Sequence, residues 1–275
     1  MTQPPIVDTP QNWDAASAGY AEKVAPLMME SFADEFVMRL EVDSTMDVLE
    51  VASGSGALSI TLSKKVKSLL ATDFSPKMQE LLASRVREAG LTNVSFAIMD
   101  GQALDLKDNC VDRAACSFGL MLFPDRYAGF SELNRVVRPG GKVLVSGWAG
   151  PEKFEALGLF LKALQQAFPE APKPTAPPPV FSLANLDSFK SEMETAGFQN
   201  VTTDYITRSV TIDSFEKLWA MLTIGAPPVK KLIEKFGDSG LDKIRIALSE
   251  IVDTKFGSGP ITLVNTATVG VAIAG

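Results

Sequence analysis

The sequence predicts an α/β fold, with seven strands in one sheet and a helical cap. Between residues 46 and 148, short apolar runs of strand length alternate with segments whose apolar residues recur at helical spacing. Beyond residue 150, further amphipathic helices precede and separate two stretches, 201–207 and 261–273, that alternate as strands do. The chain has 275 residues, of which 46% are hydrophobic, and this is ample for a substantial core. We therefore expect one large domain.

Composition excludes several functional classes. A net charge of −7 argues against electrostatic binding of nucleic acid, because phosphate contacts need clustered lysine and arginine. The chain has no histidine and two cysteines, which removes Ser-His and Cys-His chemistry and almost every catalytic zinc arrangement. The first residues lack a basic region followed by an apolar core, and no uncharged apolar run approaches ~18 residues. We therefore expect no metal, no membrane span and a cytoplasmic location.

The N-terminal part divides into a tail and a cap. Residues 1–12 are polar and contain prolines, so the sequence predicts a mobile tail. Residues 13–45 are predicted to form an N-terminal helical cap, because apolar residues recur at helical spacing from Val24 to Leu40.

The next stretch predicts a nucleotide site. An apolar strand, residues 48–51, leads into the small-residue turn 52–56 and then a helix over 57–63. Gly54 and Gly56 allow positive φ and leave room for a ligand to approach the backbone amides. A second strand, 68–72, ends at Asp73, and a carboxylate at that edge of a sheet is a natural partner for a ribose diol.

Two further βαβ units follow. Ser75 is a suitable N-cap and Pro76 a suitable first residue for a helix that ends at Gly90. A strand over 93–99 then ends at Asp100. The segment 111–124, a helix, the turn RPGG and a strand over 142–148 complete the series.

These motifs carry a resemblance to a known family. The pattern Glu50-x-Ala52-x-Gly54-x-Gly56 resembles motif I of class I S-adenosylmethionine-dependent methyltransferases, acid-x-G-x-G-x-G, and departs from it at Ala52. The series SFGL, FPD and RPGGKVLVS resembles the ubiquinone and menaquinone C-methyltransferase group. The resemblance covers about residues 46–148. It implies a Rossmann-like, mostly parallel sheet with an antiparallel hairpin at one edge, and S-adenosyl-L-methionine as cofactor with S-adenosyl-L-homocysteine as product.

The resemblance also implies roles for particular residues. Tyr20 lies in a segment, WDAASAGY, whose aromatic can reach over the cofactor, although plain packing is the alternative. Asp73 is expected to bind the ribose, and Asp100 the exocyclic amine of adenine, unless Asp100 only caps the next turn. The full set of expected cofactor-binding residues is Tyr20, Glu50, Ala52, Gly54, Gly56, Asp73, Phe74, Met78, Asp100, Gly101, Gln102 and Ser117.

The remainder is predicted to build a lid and an edge. Residues 149–182 and 212–258 are expected to be lid insertions, with an extended proline-rich connector over 169–179 and three short helices near 215–222, 229–236 and 241–252. Residues 183–211 and 259–275 are expected to supply a C-terminal helix and the edge strands. Phe118, Phe181 and Trp219 are candidates for binding an apolar acceptor, the alternative being that such side chains only fasten the lid.

The function predicted is methyl transfer to a small, largely apolar acceptor. In-line displacement at a sulfonium methyl group needs proximity and dry surroundings more than an elaborate catalytic group, which suits a chain without histidine. The sequence identifies no general base. Two alternatives stay open: an NAD(P)-dependent oxidoreductase, for which the G-x-G-x-x-G pattern is incomplete, and a methyltransferase-like protein without transfer activity.

Overall fold

The computed structural model describes residues 9–171, 178–224 and 236–275. Within them, seven strands form one sheet in the order β3-β2-β1-β4-β5-β7-β6. The strands are β1 (Asp47–Val51), β2 (Ser68–Asp73), β3 (Val94–Ile98), β4 (Val111–Cys116), β5 (Val137–Trp148), β6 (Gln199–Ile212) and β7 (Ile261–Ile273). The first five are parallel, and β7 runs antiparallel to both β5 and β6. The predicted fold class, including the antiparallel edge hairpin, is confirmed.

Within the described residues, a helix joins β1 to β2, β2 to β3 and β4 to β5, whereas β3 leads to β4 without one; further helices precede β1 and follow β5. The helices are α1 (Pro10–Gly19), α2 (Ala33–Leu40), α3 (Ser59–Ser63), α4 (Pro76–Glu88), α5 (Arg126–Val136), α6 (Glu155–Ala167), α7 (Leu186–Thr195), α8 (Phe215–Ile224) and α9 (Gly237–Phe256). Ser75 caps α4 as predicted, because its side chain accepts a hydrogen bond from the backbone N–H of Met78.

The centre of the sheet is buried on both faces. Consecutive residues of β4 and β5, such as Ala114 with Ala115 and Val143 with Leu144, have no solvent exposure. This is the pattern of a parallel sheet covered on both sides.

Strand order determines where a ligand can bind. The chain moves outward from β1 to β2 and β3, and then returns to place β4 on the other side of β1. The loops that leave β1 and β4 therefore diverge at the carboxyl edge of the sheet and leave a crevice between them. The glycine turn follows β1, and Asp73 ends β2 beside it.

The N-terminal segment differs from its prediction in two ways. Helix α1 begins at Pro10, inside the stretch expected to be a mobile tail, and Thr9 caps it by accepting from the N–H of Asn12. The expected regular helix over 24–40 is instead a π-helical segment, Tyr20–Met29, a short 3-10 turn and then α2. Pro26 lies inside the π-helical segment, and its missing N–H favours a change of winding there.

Smaller differences concern the first glycine turn and the edge strand. Helix α3 begins at Ser59 rather than at residue 57, because the turn continues through Leu58. On β3, Phe96 and Ile98 are 39% and 60% exposed, although their alternation resembles that of a half-buried strand. Strand β3 has β2 as its one neighbour at the edge of the sheet, so its side chains have fewer packing partners.

The lid region is described in part. Helix α8 matches the first predicted lid helix, and α9 contains the third. The predicted middle helix, apart from its last residue, and residues 172–177 of the predicted connector lie outside the described residues. Helix α6, for which the sequence analysis named no helix, packs against α9.

Candidate functional site

The turn after β1 has an unusual backbone. Ala52 has φ of 54°, Gly54 of 54° and Gly56 of 90°. Glycine adopts this left-handed region freely, whereas an alanine there costs about 1 kcal/mol. The turn is fastened to β2, since Ser53 donates its N–H to the carbonyl of Thr72 at 2.9 Å and Gly54 donates to Asp73 Oδ2 at 2.8 Å.

Asp73 lies at the edge of the crevice, at the carboxyl end of β2. Its side chain lines the cleft, although the residue is 6% exposed, and Oδ1 accepts from the N–H of Ser75 at 2.9 Å. Burial raises the pKa of Asp73 to about 6; the N–H groups of Ser75 and Gly54 oppose this rise, and nearby Asp14 adds to it. At neutral pH the carboxylate is therefore mostly ionised, as a hydroxyl-binding acid should be.

Glu50, the acid of the motif, occupies a different environment. It is 1% exposed, and its Oε2 accepts from Ser59 Oγ at 2.5 Å. Burial raises the pKa of Glu50 to about 8, with a further contribution from Asp73. The residue does not line the cleft but lies behind the turn, where a protonated carboxyl group ties β1 to α3.

The crevice is a cleft of about 370 Å³ at the carboxyl edge. Most of the expected cofactor-binding residues line it: Tyr20, Ala52, Gly54, Asp73, Phe74, Met78, Asp100, Gly101, Gln102 and Ser117. Gly56, like Glu50, does not, because a Cβ on Gly56 would lie 2.3 Å from Leu82 Cδ1 on α4. The space beside Gly56 is thus filled by helix α4, and the glycine permits that packing.

Asp100 and Gln102 form a small polar unit at the far end of the cleft. Asp100 Oδ1 accepts from both the backbone N–H and the side-chain amide of Gln102, at 2.9 and 3.0 Å. Gln102 Oε1 in turn accepts from the N–H of Asp125, the N-cap of α5. Both residues therefore have fixed orientations with polar atoms available to a ligand.

Other residues of the cleft were not among the expected cofactor-binding residues. They are Thr9, Pro10, Trp13, Met99, Phe118, Gly119, Leu122, Phe123 and Pro124, of which Phe118 had been expected to contact an acceptor instead. Phe118 has φ of 57°, a strained value for an aromatic residue, and its N–H donates to Ser146 Oγ at 3.0 Å. Strain of this kind concentrates at functional sites. Trp13 could have been found from the sequence, because it is the other aromatic residue of the segment WDAASAGY that contains Tyr20. Leu122 carried no such signal.

A second cavity adjoins the cleft. It has a volume of about 150 Å³, and four residues, Trp13, Tyr20, Phe118 and Leu122, belong to the walls of both. The other wall residues are apolar: Val24, Met28, Met29, Met121, Trp148, Phe154, Ala156, Leu157, Leu161, Pro178, Val180, Met221 and Leu222. The cavity is thus an apolar chamber next to a more polar cleft.

An aromatic stack forms one side of the apolar cavity. The rings of Phe118 and Trp148 lie 4.2 Å apart, and those of Trp148 and Phe154 also 4.2 Å apart at an interplanar angle of 5°. Phe32 packs edge-on against Phe118 and Trp148 from behind. Contacts of this number fix the wall rigidly.

Two of the three candidate acceptor residues lie outside the cavity walls. Phe181 is buried edge-on against Phe154, and Trp219 stacks on Phe215 beneath the guanidinium of Arg245. From helix α8, it is Met221 and Leu222 that reach the cavity.

Tyr20 lies where the two cavities meet. Its Cε1 is 3.9 Å from the position that a Cβ on Gly54 would take, and Trp13 contacts its ring edge-on at 5.5 Å. Burial raises the pKa of the Tyr20 phenol above its usual range, and Asp73 adds to that rise. The residue is therefore a hydroxyl donor rather than a base at neutral pH.

Other features of the described chain carry less chemistry. An open groove of about 980 Å³, lined by residues such as Lys153, Lys162 and Tyr205, lies over α6 and the β6–β7 hairpin, away from the glycine turn. Among the described residues, no group of three Cys, Asp or Glu side chains is placed to hold a metal ion. No helix in the described ranges is both long and apolar enough to cross a membrane.

Fold and site together define a class of protein. A parallel sheet with an antiparallel last pair, a glycine turn after β1 and an acid at the end of β2 are the features of the Rossmann-like methyltransferase fold. The profile of the ubiE/COQ5 methyltransferase family matches residues 22–168. The chain belongs to this family.

Individual relatives agree with this assignment. The chain is 34% identical over 110 residues to the ubiquinone/menaquinone biosynthesis C-methyltransferase UbiE of Acidiphilium cryptum, a match that covers 39% of this chain and 44% of the relative. The chain spans about half the length of these curated relatives.

Two solved structures resemble the whole fold. The [4+2]-cyclase SpnF has a TM-score of 0.62 at 16% identity, with 98% of this chain and 97% of that one covered. Phosphoethanolamine N-methyltransferase 2 of Haemonchus contortus, solved with S-adenosylhomocysteine, has a TM-score of 0.60 at 14% identity, with 98% and 60% covered. At these identities the likeness concerns the fold alone.

Proposed function

We propose that this protein transfers a methyl group from S-adenosylmethionine to a small, largely apolar acceptor, leaving S-adenosylhomocysteine. One observation carries the proposal: a cleft with polar groups at the carboxyl edge shares four wall residues with an apolar cavity. Ligands of open α/β sheets bind at this edge. A donor in the cleft and an acceptor in the cavity would then meet beside Tyr20 and Phe118.

The cleft residues fit the parts of the donor. Asp73 is ionised at neutral pH and would accept the ribose hydroxyls, while Asp100 would accept the amine of adenine. Phe74 and Met78 supply apolar surface on the side of α4. Family membership and the neighbour solved with S-adenosylhomocysteine support this choice of donor.

The apolar cavity suits the chemical step. The donor supplies an electrophilic methyl group, and the acceptor's nucleophile forms a bond to that carbon as the bond to sulfur breaks, with the electron pair staying on sulfur. The protein's task is to align the two molecules near ~3 Å and to exclude water. The stack of Phe118, Trp148 and Phe154 provides a rigid, dry wall for the acceptor. Tyr20 can hydrogen-bond a polar group of the acceptor at the junction.

Calorimetry tests the donor, and a transfer assay tests the reaction. We expect S-adenosylmethionine and S-adenosylhomocysteine to bind more tightly than NAD⁺ or NADP⁺, and a methyl-labelled donor to label at least one member of a panel of small aromatic and isoprenoid acceptors. Tighter binding of a nicotinamide cofactor would instead favour the oxidoreductase alternative.

A methyltransferase-like protein without transfer activity is the second candidate. The observation that favours it is Ala52, which takes the place of the first motif glycine in a left-handed conformation. Donor binding without transfer to any acceptor of a broad panel would support it over the first candidate.

A further inference from the structure

Helix α1 is anchored to the start of helix α4 by one carboxylate. Asp14 Oδ1 accepts from Ser75 Oγ at 2.6 Å and from the backbone N–H of Lys77 at 3.1 Å. The first turn of a helix presents unpaired N–H groups and a partial positive charge, so an acid placed there is stabilised. Ser75 itself is fully buried. The contact is thus a specific docking point rather than a surface ion pair.

The same N-terminal segment has a second attachment, again to α4. Arg85 donates to Glu30 Oε1 at 2.6 Å and to the carbonyl of Ser55 at 2.9 Å, which joins the end of the segment to the glycine turn. Tyr20 lies between the two attachments and Trp13 directly precedes the first, and both residues line both cavities. The segment from Trp13 to Glu30 is therefore attached to α4 near each of its ends, and we call it the strap across the cleft.

Ser75 connects the strap to the acid of the cleft. Its N–H donates to Asp73 Oδ1 at 2.9 Å, and its hydroxyl donates to Asp14. Its hydroxyl oxygen also caps α4 by accepting from the N–H of Met78, a further cleft residue. One buried serine thus fixes the position of α1, of Asp73 and of the first turn of α4 relative to one another.

We propose that Asp14 is a positioning residue that docks α1 over the cleft, and that docking of α1 and binding of the donor stabilise each other. Coupling between two binding events is reciprocal, so a weakened dock must lower donor affinity and a bound donor must hold the strap in place. The identity of the donor rests on the proposed function, whereas the dock itself rests on the contacts of Asp14 with Ser75 and Lys77.

Variants at position 14 test the proposal on the full chain. Asp14→Ala removes the acceptor, whereas Asp14→Asn keeps a carbonyl oxygen that can accept from both donors. Glu22→Ala is the control for Kd and melting temperature, because this substitution removes the same charge from the same segment at an exposed position. Asp14→Asn is the control for cleavage, because Glu22 pairs with Lys23 at the cleavage site itself. The readouts are the Kd of S-adenosylhomocysteine by calorimetry, melting temperature, and the rate of tryptic cleavage after Lys23, identified by mass.

We expect Asp14→Ala to raise the Kd about tenfold, as loss of one charge-assisted contact would, and to accelerate cleavage after Lys23. The Kd of Asp14→Asn and of Glu22→Ala should stay within about threefold of that of the natural chain. S-adenosylhomocysteine should slow cleavage of the natural chain after Lys23. A lower melting temperature with unchanged Kd and cleavage rate in Asp14→Ala would overturn the proposal, and so would equal effects of Ala and Asn.

The two proposals fail separately. If the natural chain does not bind S-adenosylhomocysteine, the proposed function is wrong. The rate of cleavage after Lys23, measured without added ligand, still tests the docking of α1. Faster cleavage of Asp14→Ala but not of Asp14→Asn supports the docking, and equal rates for Asp14→Ala and the natural chain refute it.

Discussion

Replacing Glu50 with glutamine should make the protein more stable, and increasingly so as pH rises. Glu50 is 1% exposed and accepts one hydrogen bond from Ser59, and burial raises its pKa to about 8. A buried carboxyl group with few partners resists ionisation. Glutamine has nearly the same shape, keeps an oxygen that accepts from Ser59, and never ionises.

The sign and the size of this stability difference follow from the linkage between folding and proton binding. In the unfolded chain Glu50 returns to its usual pKa of 4.5, so between pH 4.5 and about 8 the folded state binds the extra proton. Stability contributed by the natural residue is therefore greatest below pH 4.5 and declines as pH rises through that window. Between pH 5 and 8.5 the decline amounts to about 4 kcal/mol. The glutamine variant lacks this decline.

Urea unfolding of both chains at several pH values between 5 and 8.5 measures the difference. The advantage of Glu50→Gln should be small at pH 5 and grow steadily with pH. Asp47→Asn is the control, because hydrogen bonds from Ser68 and Lys67 lower the pKa of Asp47 and its contribution is constant over this range. A flat difference for Glu50→Gln would show that Glu50 is ionised in the folded protein, and the argument from burial would be refuted.

Three further predictions concern the site. Asp73→Asn should weaken S-adenosylmethionine binding by about ten- to a hundredfold by calorimetry, through loss of charge-assisted hydrogen bonds, and unchanged affinity would remove Asp73 from the site. Gly119→Ala should lower the melting temperature, because its Cβ would lie 2.4 Å from that of Ala52. Adding Ala52→Gly should restore most of the loss, and the lack of any rescue would contradict the contact. Trp219→Ala should lower the melting temperature but leave the KM for the acceptor within about twofold, whereas Met221→Ala should raise that KM. A raised KM in Trp219→Ala with an unchanged KM in Met221→Ala would place the acceptor beside Trp219.

The sequence predicted the sheet well because each strand carries a local signal. The apolar runs of β1, β4 and β5 are buried on both faces, and turn residues mark their ends. Asp73 could be assigned to the cleft for the same reason, since the carboxyl end of a parallel strand has a known location.

The apolar cavity could not be predicted in the same way. Phe154 directly precedes α6, Leu157 lies on α6 and Met221 on α8, so their orientation depends on how α6 and α8 pack. Periodicity gives a helix its apolar face but does not tell which residues of that face touch a ligand and which touch another helix. Trp219 was a candidate because it lies in the longest predicted lid insertion, and in the structure it packs against Phe215 and Arg245 instead.

Ala52 shows why a motif read residue by residue can mislead. The motif has glycine at this position, so Ala52 adds a methyl group to the turn. In the structure Ala52 does line the cleft, but its Cβ lies beside Gly119, in space that is open only because Gly119 has no side chain. Cys116 Sγ, which is fully buried, bounds the same space. The methyl group of Ala52 is therefore accommodated because Gly119, on the opposite loop, has none. The remaining cost of Ala52 is its left-handed backbone conformation, about 1 kcal/mol. Complementarity of this kind joins residues 67 positions apart, so the departure from the motif is explained by the contact between the loops after β1 and β4.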